Sequence, residues 1–198
     1  MTHEKVCVQG PIPKNEVPRT GPRRTSPQVE PLESTDPDRE LISAVKSGDS
    51  ERACRLLQGD AYFNAVDESG ISVLMYSSAL GNDELIGVLF EKGAEIDAAD
   101  PSGWTPLMYA VLMDRIEIMK MLIDFGADVN ARDSEGCTPL LYACILGSPD
   151  AAELLIARGA DINAENGSGR SAMSFAFNSD DRVFRLFLES GAGLGASE

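Results

Sequence analysis

The chain has one histidine, His3, near its start, so no serine–histidine or cysteine–histidine nucleophile pair can be assembled farther along. Its four cysteines, Cys7, Cys54, Cys137 and Cys144, show no Cys-x-x-Cys spacing and no accompanying histidine. That pattern reads as reduced thiols in a cytoplasmic or nuclear protein, not as a disulfide framework or a zinc site. Carboxylates are abundant, but Asp67, Asp100 and Asp133 recur at a fixed interval, which suits a structural turn better than acid–base chemistry. Gly191-Ala192-Gly193-Leu194-Gly195 has the glycines of a phosphate loop without its lysine. Asn166-Gly167-Ser168 fits a glycosylation sequon, but Met1 to Pro11 lacks the apolar core of a signal peptide. Ser26, within Arg23-Arg24-Thr25-Ser26-Pro27, is a phosphorylation candidate for a basophilic or a proline-directed kinase; a linker serine without a role is the alternative. The inventory points away from catalysis and implies neither a cofactor nor a metal.

Charge narrows the partner class. The net charge is -15, and residues 1–36 are balanced, so the excess belongs to residues 37–198. Such a body repels phosphate backbones, which argues against direct nucleic-acid binding, and it steers basic protein surfaces towards itself. No apolar run approaches membrane-spanning length.

The elements follow from proline placement and periodicity. Seven of the 11 prolines fall within the first 37 residues, which predicts a disordered tail over residues 1–33. Thr35-Asp36-Pro37-Asp38 predicts the first helix start, with threonine as its N-cap. Four stretches then align at a period of 33, starting at Asp67, Asp100, Asp133 and Asn166, with a degenerate copy before them. The predicted units are 34–66 as an N-terminal cap, 67–99, 100–132, 133–165, and 166–198 as a C-terminal cap. Thr105-Pro106-Leu107 and Thr138-Pro139-Leu140 start first helices, while Gly48, Gly81 and Gly147 mark the turns between helices. Leu89-Phe90, Leu122-Ile123 and Leu155-Ile156 form the expected inner face of the second helices. No unit can bury that face alone, so the fold class is an all-α repeat solenoid stabilised by stacking.

With Thr-Pro-Leu and Gly126-Ala127-Asp128-Val129-Asn130 phrases at this period, residues 34–198 resemble the ankyrin-repeat family. The histidine usual after Thr-Pro-Leu is replaced by Met75, Met108, Leu141 and Ser174, so the hairpin-to-helix hydrogen bonds it supplies are expected to be absent. The resemblance implies a monomeric protein-binding module whose partner meets hairpin tips and first-helix ends on a concave face. Carried over by repeat position, the tips are Ile71, Trp104, Cys137 and Arg170. The helix ends are Ala79-Leu80, Leu112-Met113, Ile145-Leu146 and Asn178-Ser179, and Glu68 and Glu135 give an acidic rim. An apolar groove so rimmed suits a basic or amphipathic segment, with Trp104 as its energetic centre. Tyr76, Tyr109 and Tyr142 read as packing ladders. Asn130 and Asn163 resemble asparaginyl-hydroxylase sites, with plain hairpin support as the alternative. Three roles fit such a module: an adaptor or scaffold, a stoichiometric enzyme inhibitor, and a secreted bacterial effector binding a host protein.

Overall fold

The computed structural model describes residues 36–176 and 181–189. The helices come in pairs joined by tight turns. They are α1 (Pro37–Lys46) with α2 (Ser50–Gln58), α3 (Val73–Leu80) with α4 (Asp83–Glu91), and α5 (Pro106–Leu112) with α6 (Ile116–Asp124). The series continues with α7 (Pro139–Leu146) and α8 (Pro149–Ala157), then α9 (Ala172–Ala176) and α10 (Asp181–Glu189). This is the all-α repeat solenoid that the period predicts.

Each inner helix starts where the sequence supplies a cap. The hydroxyls of Thr105 and Thr138 accept from the Met108 and Leu141 amides, and Pro106 and Pro139 take the first helical position. There the missing N–H costs the helix nothing. At α1 the cap is Asp36, whose carboxylate accepts from the Asp38 amide, and not Thr35. Pro37 fixes the first helical residue, which leaves Asp36 in the capping place.

The turns between paired helices need a left-handed residue. Gly48, Gly81 and Gly147 supply it, and Asp114 takes the same register position at φ 53°. A side chain there costs on the order of 1 kcal/mol relative to glycine. The Asp114 carboxylate offsets part of this by accepting from the Ser148 hydroxyl at 2.6 Å.

Stacking buries the leucine rungs. Inner helices α1, α3, α5, α7 and α9 pack in sequence, as do outer helices α2 on α4, α6 on α8, and α8 on α10. Leu74, Leu107, Leu140, Leu89, Leu122 and Leu155 are buried between them. Complete burial of such a side chain contributes roughly 1.5–3 kcal/mol, which makes the stack the source of stability. The second residues of the predicted pairs behave differently. Ile123 and Ile156 are half-buried and Phe90 is exposed, because each outer helix buries two adjacent residues early on but only the leucine in its last turn. The Phe90 ring instead lies flat on Phe125, centroids 3.8 Å apart, bridging α4 and α6.

Hairpins are linked to their neighbours at base and tip. At the base, the Glu95 amide donates to Asn64 Oδ1, Asp128 to Asp97, and Asp161 to Asn130. At the tip, the Ser134 amide donates to the Ser102 carbonyl at 2.9 Å, and the Gly167 amide to the Glu135 carbonyl at 2.7 Å. Gly103 is what allows this approach: at φ +83°, a Cβ there would stand 2.8 Å from the Ser134 nitrogen.

Candidate protein-binding face

The hairpin aspartates organise the face. Asp100 Oδ1 accepts from the Ser102 and Trp104 amides at 2.8 and 2.9 Å, while its Oδ2 accepts from the Tyr109 hydroxyl at 2.8 Å. Asp133 repeats the arrangement with the Glu135 and Cys137 amides and the Tyr142 hydroxyl. Asp67 does so with Ser69, Ile71 and Tyr76. The hairpin-to-helix bonds expected to be missing without histidine are therefore present, supplied by tyrosine one position later. The recurrent tyrosines pack and also bond. In α3 the Met75 sulfur additionally accepts from the Ser72 amide at 3.3 Å. The last repeat departs again: Asn166 keeps the two amide bonds, but Phe175 brings no hydroxyl and instead lies under the Arg170 guanidinium at 4.5 Å.

This anchoring decides which tip residues are accessible, and it overturns part of the sequence expectation. Trp104 is only 3% exposed, and Ile71 and Cys137 are buried with it. Each amide is fixed on the aspartate of its own hairpin, which turns the side chain into the stack. The Trp104 ring lies 5.6 Å from Tyr109 and 4.5 Å from Tyr142, centroid to centroid. Cys137 accepts from the Asn166 side-chain amide. From these positions none of the three can meet a partner.

The helix ends differ. Leu80, Met113 and Leu146 close the inner helices and are 44%, 42% and 40% exposed. Leu112 and Ile145 beside them are half-buried and Ala79 is buried, while Glu68 and Glu135 are exposed at the tips. Asn178 and Ser179 lie outside the described residues, as do His3, Cys7, Ser26 and the predicted tail.

Electrostatics at the first hairpin escaped the sequence reading. Lys46 stands one repeat before Ala79, and its ammonium reaches Asp67 Oδ2 at 2.6 Å and lies 4.7 Å over the Tyr76 ring. Burial by itself pushes the Asp67 carboxyl up, but Lys46, Tyr76 and the Ile71 and Ser69 amides together hold it at about 2. A carboxylate with a depressed folded value stabilises above its ordinary range and loses that contribution as pH falls through the depressed value. The Asp67 contribution therefore disappears between about pH 4 and pH 2. Acid titration followed by circular dichroism should show Asp67→Asn with a flatter limb across that window than the parent; coincident curves would contradict the assignment.

Reactive chemistry finds little to work with. Burial pushes the Cys144 thiol up to about 12, and burial with Glu84 nearby raises Cys54, so neither is a ready thiolate. Among the described residues no three histidine, cysteine, aspartate or glutamate side chains gather to hold a metal, and no helix is long and apolar enough to cross a membrane. The Asn130 side chain is engaged at both ends, accepting from the Asp161 amide at 2.7 Å and donating to the Gly159 carbonyl at 3.2 Å. Asn163 is exposed, with its backbone amide on Asp161.

Comparison with protein families gives two overlapping matches. A model described as ankyrin repeats in three copies covers residues 41–133, and one described as ankyrin repeats in many copies covers residues 113–156. No match was found among curated proteins.

Proposed function

Since the chain belongs to the ankyrin-repeat family, matched from residue 41 to residue 156, and ankyrin repeats are in general protein–protein interaction modules, we propose that it is a non-catalytic binder working as an adaptor or scaffold. The binding face is the row of inner-helix ends, Leu80, Met113 and Leu146, broadened by Leu112 and Ile145. The carrying observation is that these three large apolar side chains stay exposed at one register position in three successive repeats. Core packing does not require them there, and a contiguous apolar row open to solvent marks an interaction surface. Glu68 and Glu135 at the tips, on a chain of net charge -15, favour a basic amphipathic segment as the occupant. The module acts as a monomer in the cytoplasm or nucleus. Ser26, for phosphorylation, and Asn130 and Asn163, for hydroxylation, are its candidate modification positions.

The test is affinity capture from cell extract with the parent chain and with the Leu80→Asp, Met113→Asp, Leu146→Asp variant. Because these side chains are solvent-facing, the unfolding midpoint should move by no more than a few degrees. A captured partner should lose about tenfold or more in affinity, as expected when an apolar interface centre is given charge. Equal capture by both baits would remove this face from consideration.

A further inference from the structure

The first hairpin leaves open one bond that the two hairpins beginning at Asp133 and Asn166 complete. Its base is closed by α1, where the Asp38 carboxylate accepts from the Tyr62 amide at 2.7 Å, standing in for the side chain that a preceding hairpin would offer. Its tip is not closed. In the repeats beginning at Asp133 and Asn166, the second residue donates its amide to the hairpin before it. The corresponding residue of the first hairpin is Glu68, whose amide has no acceptor among the described residues. Beside that tip, between α1 and the hairpin, lies a cleft of about 720 Å³. Tyr62 and Val66 line it with exposed apolar surface. Its charged lining is Asp36, Asp38, Asp67 and Glu68 against Arg39 and Lys46. Lys46 is committed to Asp67, while Arg39 touches Asp36 and Glu68 only at 4.0 and 3.9 Å, fully in solvent's reach.

We propose that this cleft is a second docking surface, receiving an extended, lysine- or arginine-bearing segment of a partner protein laid along the first hairpin. The segment's backbone carbonyl accepts from the Glu68 amide, the kind of bond that Ser134 and Gly167 make to the hairpins before them. An apolar side chain covers Tyr62 and Val66, and a neighbouring cation meets the excess of two negative charges in the acidic lining. Backbone pairing supplies affinity and side-chain pockets supply selectivity, as in other cases where an extended peptide adds to an exposed edge. The surface is separate from the row at Leu80, Met113 and Leu146. A chain with two docking surfaces can bridge two partners, which a single-faced inhibitor cannot.

The probe is a fluorescein-labelled peptide of five Lys-Val units, titrated into the full chain and followed by anisotropy at low and physiological salt. Saturable binding is expected, weaker at high salt, with no binding of the matched Glu-Val peptide. The decisive variant is Glu68→Pro. It removes the donating N–H while placing at the tip the residue that the next repeat already carries there, Pro101, so the fold has a precedent for it. The loss expected is about tenfold, against a few-fold for Glu68→Gln, which keeps the amide and removes the charge. If Glu68→Pro unfolds the hairpin by circular dichroism, Val66→Asp provides the same reading from the apolar wall. The Leu80→Asp, Met113→Asp, Leu146→Asp variant should bind the peptide like the parent. Absence of binding, equal binding of the Glu-Val peptide, indifference to both Glu68→Pro and Val66→Asp, or loss in the triple variant would each overturn the proposal.

Discussion

Trp104→Ala is expected to lower unfolding free energy by about 3–5 kcal/mol, the range for removing a large buried aromatic from a packed core. The ring is 3% exposed and wedged against Tyr109 of its own repeat and Tyr142 of the next. Alanine leaves a void between two rings that themselves carry the hairpin-to-helix bonds, so the loss spreads beyond the deleted atoms. The Trp104 amide still donates to Asp100 in the variant, which keeps the hairpin backbone in place and limits collapse into the void. Poor collapse puts the cost towards the top of the range. Urea denaturation followed by circular dichroism measures it. Trp104→Phe should recover about half, since it restores one ring but not the full area. An unchanged midpoint with weakened partner binding would return the tryptophan to the interface.

Asp133→Ala should be comparably damaging, about 3–5 kcal/mol, for a different reason. The carboxylate serves the Tyr142 hydroxyl and the Cys137 amide, both buried, and the Glu135 amide at the tip. Stranding a buried donor costs roughly 1–3 kcal/mol, and here two are stranded together. Tyr142→Phe removes the hydroxyl's bond to this charged acceptor and should cost about 1.5–3 kcal/mol. Asp133→Asn should be the mildest, because Asn166 makes the same pair of amide bonds in the following repeat. Thermal unfolding should rank Asp133→Ala as the most damaging, Tyr142→Phe next and Asp133→Asn last. Equal effects of all three would show that the bonds are not what stabilises the hairpin.

How far the sequence could be read depends on whether a feature lives in one repeat or between two. The helix pairs were legible because Thr-Pro starts, glycine turns and leucine spacing are local signals that recur at the period. The tyrosine–aspartate ties were also written there, nine residues apart in three repeats. They are hard to read there because hairpin aspartates and helix tyrosines each have a sufficient role alone, and the position the family fills with histidine is the neighbouring one. Trp104, Ile71 and Cys137 were misplaced for a geometric reason: register names the tip position, but the amide's bond to the aspartate fixes which way its side chain turns. The exposure of Leu80, Met113 and Leu146 is legible because a helix end one step past the buried rung exposes its side chain whatever the hairpin does. Asp114 carries a signal of its own, as a polar side chain where three other repeats have glycine.

The position of Trp104 makes it an optical gauge of one junction. As the chain's only tryptophan, it reports by fluorescence on the seam between the third and fourth repeats, whereas ellipticity averages over every helix. A solenoid held by nearest-neighbour terms can lose end repeats while its middle remains assembled. In that case ellipticity falls first and emission follows at higher denaturant. The gap between the two curves then measures, without labels, how cooperatively the repeats are coupled.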